Sequence, residues 1–205
     1  MSYILVDMGR ASRADAAAHR EQVVIAAARL FRERGVHGVS LSDLMADVGL
    51  THGGFYRQFA SKEALAAEAA AAALDERGRE MLGFTERHPD DHTAARLEML
   101  DDYLSPEHRD DPGTGCPTTA LAGEVAREGA DSALRATYTE GVRGFVLKLA
   151  DFDDDPTDRD HQITTLCTMV GALMLSRATA GDPISDEILD AAKRLLTAPT
   201  QSTVD

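Results

Sequence analysis

The residues with the most obvious capacity for chemistry lie in the middle of the chain: His88, Asp90, Asp91, His92, His108 and Cys116. Such a set invites a metal-site reading. Metal ligands sit on a fixed framework, as two histidines one turn apart on a helix or as Cys-x-x-Cys. Here none makes an i, i+4 pair within a helix. All lie in or beside helix breakers, His88-Pro-Asp-Asp91 and Ser105-Pro106 through Gly115. Solvated acidic loops account for them, and neither metal nor cofactor is expected. No Gly-rich phosphate loop or Gly-x-Ser-x-Gly elbow occurs, so no catalytic activity is expected either. Cys116 is a separate case. It precedes Pro117, a favoured first helical residue, which sets its thiol at a helix N-terminus where the dipole favours thiolate. A redox or electrophile sensor follows as one reading, and an inert, partly buried cysteine as the more ordinary one.

The elements that must position any site are helical. Alanine, leucine, glutamate and arginine dominate, tryptophan is absent, and the prolines fall mostly in a few short breaks. That composition favours an all-α fold over strands. The 205 residues can bury the core of one large or two small domains. The longest apolar run, Cys167 to Leu175, is about half a membrane span, so a cytoplasmic chain is expected. Two cysteines give no disulfide framework. Net charge is −14, which alone argues against a polyanionic partner. Its distribution argues otherwise. Residues 1–60 hold seven basic against six acidic residues, a balance of +1, whereas 61–205 hold fourteen against twenty-nine, a balance of −15. A neutral head on an acidic body suits a protein that touches nucleic acid with one end.

Residues 1–17 lack helical periodicity and read as a flexible arm. Arg20–Arg34 carries Val23, Ala27, Leu30 and Phe31 at helical spacing, and Gly35 stops that helix. Ser40 and Asp43 have capping-box spacing for a short helix that Gly49 ends. Thr51 caps another helix through Phe55, Tyr56 and Phe59, and Ser61 a fourth, with the alanine-rich run Ala64 to Leu74. Two helices of about eight residues with a glycine turn between them make a helix-turn-helix or an ordinary αα-hairpin. Spacing does not decide between the two. Five further helices are expected over 93–104, 117–128, 132–152, 158–180 and 185–197, about nine in all, with a mobile break at 105–115.

The run Gly49-Leu-Thr-His-Gly-Gly-Phe-Tyr-Arg-Gln-Phe-Ala-Ser-Lys-Glu-Ala-Leu65 closely resembles the DNA-binding signature of tetracycline-repressor-type (TetR/AcrR) regulators. Ala26-Ala-Ala-Arg-Leu-Phe-Arg-Glu-Arg-Gly35 resembles the same family's first helix, and Ser40 to Asp43 the start of its second. The resemblance implies an N-terminal three-helix helix-turn-helix DNA-binding domain and a C-terminal helical ligand-binding and dimerisation domain. In this chain that gives an arm over 1–17, a DNA-binding domain over 18–64, a regulatory domain over 65–199 and a tail over 200–205.

It also implies DNA contacts at Ser42, Thr51, His52, Gly53, Gly54, Tyr56, Arg57 and Lys62, and the chemistry of each fits. Thr51 and His52 sit at a helix N-terminus that favours phosphate. Gly53 and Gly54 allow close approach, at a helix-propensity cost of about 1 kcal/mol each relative to alanine. Tyr56, Lys62 and Ser42 can reach phosphates, and Arg57 can pair with guanine or clamp a phosphate. Phe55 and Phe59 are core. The His52-Gly53-Gly54 triplet departs from the commoner family pattern, so base preference does not carry over.

One short recognition helix reads few base pairs, so specificity calls for a homodimer on a palindromic double-stranded DNA operator. The apolar stripes of the last two helices supply the dimer candidates Leu166, Val170, Leu173, Met174, Ile188 and Leu195. The resemblance further implies a repressor released by a small-molecule effector of unknown identity. Candidate lining residues are Met99, Tyr103, Cys116, Leu121, Tyr138, Val142, Phe145 and Met169, residue types that at helical spacing are more often plain core. A helical interaction protein without DNA binding is the remaining rival.

Overall fold

The computed structural model describes residues 4–49, 51–153 and 155–198, with the side chains of residues 4–15 and of residue 52 outside that description. Among the described residues there are ten α-helices, one 3-10 segment and no strand. The helices are α1 Ile4–Arg34, α2 Leu41–Asp47, α3 His52–Phe55, α4 Lys62–Arg87, α5 His92–Tyr103, α6 Pro106–Asp110, α7 Pro117–Val125, α8 Ala133–Leu149, α9 Arg159–Ala178 and α10 Ile184–Thr197. The tail 200–205 and Leu50 lie outside the described residues.

The breaks fall where the stop signals sit. Gly35 at φ 75°, Gly49 at φ 66° and Gly181 at φ 95° take the left-handed conformation that other residues rarely adopt. Serine and aspartate hydroxyls and carboxylates cap the starts: Ser61 accepts from the Ala64 amide at 3.1 Å, Asp91 from Ala94 at 2.8 Å and Asp158 from His161 at 2.9 Å.

Two differences from the sequence expectation have physical causes. The backbone of residues 4–17, read as an arm, is the first part of α1. Ala16 to His19 are exposed, so no packed face imposes a stripe there, and periodicity has nothing to report. Alanine-rich sequence forms helix on propensity alone. The break at 105–115 contains α6, and it is tied down. The Arg177 guanidinium donates to the carbonyls of Arg109 (3.1 Å) and His108 (2.8 Å), and Arg109 pairs with Asp186 and the Ser185 hydroxyl. These partners lie 68 to 77 residues away in sequence.

Packing divides into two apolar clusters. The first joins α1 to α4 and takes in Leu121, Val125 and Leu134 from α7 and α8. The second lies within the body, around Met99, Tyr103, Leu149, Met169 and Leu173. Helix α4 belongs to both. Its buried Ala66, Ala69, Ala70 and Ala73 let α1 approach closely, and Leu74 fills the space that a Cβ at Gly141 of α8 would need.

Candidate nucleic-acid interface

Helix α2 begins with a complete capping box. The Ser40 hydroxyl accepts from the Asp43 amide at 3.1 Å, and the Asp43 carboxylate accepts from the Ser40 amide at 3.0 Å. The Ser40 hydroxyl and amide hold the Asp43 carboxyl below the usual carboxylate range. Leu44 and Met45 are buried beneath it, while Ser42 is exposed. After Gly49 the chain re-enters a helix at Thr51, which is extended (φ −97°, ψ 154°) and makes no side-chain cap. Its carbonyl accepts from Gly54 (2.9 Å) and Phe55 (3.3 Å).

The α3 segment is one turn long, half the expected length. Two glycines in four residues explain it, since each weakens helix by about 1 kcal/mol. A turn carries the path on: the Gln58 and Phe59 amides donate to the Phe55 carbonyl at 2.9 and 3.0 Å. A helix this short has little macrodipole. Anion contacts here therefore fall to side chains more than to amides.

Those side chains divide cleanly between inside and outside. Phe55 and Phe59 are buried and stacked at 5.3 Å, and Arg20 of α1 lies 4.6 Å over the Phe59 ring. Tyr56, held edge-on to Phe55 at 5.1 Å, is 63% exposed. Thr51, Gly53 and Arg57 are exposed, Gly54 and Lys62 half-buried. A Cβ at Gly53 would meet nothing within 4 Å, and one at Gly54 only the Thr51 hydroxyl at 3.8 Å. Nothing inside the chain demands glycine at either position. The His52 side chain lies outside the described residues.

The head is braced from behind. Arg29 of α1 grips both Asp47 oxygens of α2 at 2.8 and 2.9 Å. Glu124 of α7 accepts from the amides of Val36 (2.6 Å) and His37 (3.2 Å), just past the end of α1. Arg32, almost wholly buried, donates to Glu76 and to the Gly115 carbonyl. These body-to-head contacts escaped sequence reading, because partners 44 to 88 residues apart leave no local pattern.

In the body, the candidate ligand residues are mostly closed off. Met99, Tyr103, Cys116 and Met169 have no exposure and Leu121 has 2%. Tyr138 and Val142 are half-buried against the two clusters. Only Phe145 of the eight lines the cavity of about 550 Å³ between α4, α7 and α8. That cavity is built instead around Leu74, Arg77, Met81, Thr118 and Lys148. Glycines inside helices at 78, 141 and 144 were its one sequence signal. Of the dimer candidates, Leu166 and Leu173 turn into the body core, Val170 and Ile188 are half-buried, and Met174 and Leu195 are exposed at 39% and 65%. The loop histidines have structural partners. His88 meets Glu98 at 2.7 Å, His92 the Asp151 carbonyl at 2.9 Å, and His108 the Tyr103 carbonyl and Cys116 amide. No metal-ligand cluster occurs among the described residues, nor is any helix there long and apolar enough to cross a membrane.

Comparison with known proteins bears directly on this head and body. Residues 24–78 match the family model of bacterial regulatory proteins, tetR family. The helix-turn-helix-type transcriptional repressor NemR of Escherichia coli (strain K12) is 28% identical over 151 residues, 72% of each chain. The crystal structure of reduced E. coli NemR covers 87% of this chain and 95% of its own, with a TM-score of 0.74 at 20% identity. A helix-turn-helix-type transcriptional regulator of Mycobacterium tuberculosis is 26% identical over 171 residues, 77% of this chain and 84% of that one. A TetR transcriptional regulator from Chloroflexus aurantiacus gives a TM-score of 0.70 at 26% identity, over 89% of this chain and 94% of that one. In its head, over residues 24–78, and in its overall fold, the chain is similar to DNA-binding transcriptional regulators of the tetR family.

Proposed function

We propose that the chain is a homodimeric repressor that holds a near-palindromic operator through Ser42, Thr51, Tyr56, Arg57 and Lys62 and leaves it when a small molecule enters the body. One observation carries the DNA-contact reading. Tyr56 and Arg57 project outward from a turn whose other side, Phe55 and Phe59, is locked in the core. An exposed tyrosine and arginine on a rigid support, beside two glycines that nothing internal requires, suit a surface that approaches a duplex closely. Homology supports repression as the mode, since NemR is a repressor.

The dimer rests on exposed apolar surface. Ile184, Ile188, Ala191 and Leu195 follow one face of α10, and Ile163, Val170 and Met174 one face of α9. Ile184 and Leu195 are 43% and 65% exposed. An apolar face on two neighbouring helices is the expected form of a two-fold interface. The thiol-sensor alternative is weakened by the complete burial of Cys116, because attack needs solvent access as well as thiolate.

The test is selection of bound fragments from genomic DNA, followed by titration of the selected duplex against a scrambled one. Arg57→Ala should lose about 1–3 kcal/mol on the selected site and little on the scrambled one. Equal loss on both would make Arg57 a phosphate contact. No preference by the wild type would remove the proposal.

A further inference from the structure

Helix α1 is longer than its packing requires. Its buried residues begin at Val23. Among the described residues, Arg20 is the first of α1 with a side-chain partner elsewhere: it pairs with Glu68 of α4 and lies over the Phe59 ring. Ala16 to His19 are exposed. The ion pairs also fix the direction of the helix. Arg20 meets Glu68 and Arg32 meets Glu76, so α1 and α4 run in the same sense. The start of α1 therefore lies at the end of α4 that carries Lys62. The sixteen residues of α1 before Arg20 extend about 24 Å, and the six of α4 before Glu68 about 9 Å. About 15 Å of α1 thus stands beyond Lys62, on the side of the head where Tyr56 and Arg57 are exposed.

Resting on the regulator reading above, we propose that the first four turns of α1 are a second DNA-binding element, which lies along the duplex beside the half-site and meets phosphates through Arg10 and Arg13. These two arginines are one turn apart and share a helical face. Asp7 adjoins Arg10 a turn nearer the start, and Asp15 falls on the opposite face. The overhang continues the surface that carries Tyr56, Arg57 and Lys62, so a duplex seated on that surface runs directly beside it. Guanidinium forks pair with phosphate oxygens and read no bases. The overhang therefore adds affinity and leaves sequence preference to the turn at α3.

The assay combines hydroxyl-radical footprinting with anisotropy titration of the full-length protein, on the selected duplex with long flanks and on a scrambled one, over a salt series. Wild type is compared with Arg10→Ala/Arg13→Ala and Arg10→Lys/Arg13→Lys. Alanine is the stronger helix former, so the first exchange leaves the helix in place. The alanine pair should weaken both duplexes by the same factor and lower the salt slope by about two per half-site. It should also lose protected sugars flanking each half-site, while the preference for the selected duplex stays. The lysine pair should keep the slope and the flanking protection. An alanine pair with wild-type affinity, slope and footprint overturns the proposal, as does a loss confined to the selected duplex. A change of oligomeric mass by light scattering also overturns it, since the overhang would then serve self-association. A wild type that still prefers its duplex while the alanine pair changes nothing leaves the regulator reading intact and strikes only the overhang.

Discussion

Arg57 and His108 show how differently two polar residues of one chain are used. Arg57 is exposed and was legible as a contact residue because its neighbours in sequence, Phe55, Tyr56 and Phe59, form a local pattern. His108 read as a loop histidine. In the structure its Nδ1–H donates to the Tyr103 carbonyl at 2.8 Å while Nε2 accepts from the Cys116 amide at 2.9 Å. Burial disfavours the charged ring and lowers the pKa to about 4, and protonation would also abolish that acceptor. The sign follows: between pH 6.5 and 4 the unfolded chain binds the proton and the folded one does not, so stability falls as pH drops through that window. The loss should reach about 3 kcal/mol near pH 4. Urea unfolding at pH 7 and pH 5 should show a smaller pH effect in His108→Gln than in wild type. An unchanged slope would contradict this role. No sequence signal could have found it, since both partners are backbone groups whose positions depend on the fold of α6.

At the scale of the element, helices announced themselves wherever a cap or a packed stripe was local. The Ser40–Asp43 box is one case: Ser40→Ala should cost about 1 kcal/mol in thermal unfolding, and a change within error would show that the Leu44 and Met45 contacts alone hold α2. Ala16 to His19 face solvent, so no packed face imposes a stripe on that part of α1. Helix α6 was hidden because Arg177 and Asp186, which hold it, lie far along the chain. The turn at α3 is shorter than expected because Gly53 and Gly54 cut propensity where nothing in the chain packs on them. Helix α7 connects cavity to head, with Thr118 on the cavity wall and Glu124 on the amides of Val36 and His37. Glu124→Ala should lower stability by about 1–2 kcal/mol, since it leaves the amide of buried Val36 unpaired while that of exposed His37 turns to water. It should also blunt ligand-induced release from DNA while leaving ligand affinity unchanged by calorimetry. Full ligand response in that variant would mean that coupling runs elsewhere, as through Arg32 and Glu76.

For the whole molecule, the charge division seen in sequence acquires a shape: a near-neutral head of α1 to α3 on an acidic body. The all-helical class was legible from composition, and the likeness of the head to tetR-type regulators from about fifty residues around the turn that form a contiguous pattern. The cavity and the braces were not, because they join residues from distant helices. The exposed faces of α9 and α10 predict a dimer at micromolar concentration by light scattering. Leu195→Glu, on a residue 65% exposed, should give a folded monomer that binds a full operator far more weakly. A wild-type monomer would dismiss this interface. The most direct test of the central claim is fluorescence anisotropy on the selected duplex at several salt concentrations, comparing wild type, Arg57→Ala and Lys62→Ala. Wild type should prefer that duplex over scrambled DNA, and Arg57→Ala should erode the preference. Lys62→Ala should weaken both duplexes alike and reduce the salt slope by about one. Wild-type protein that binds no duplex in preference to another at low ionic strength, or an Arg57→Ala variant indistinguishable from it, would contradict the account.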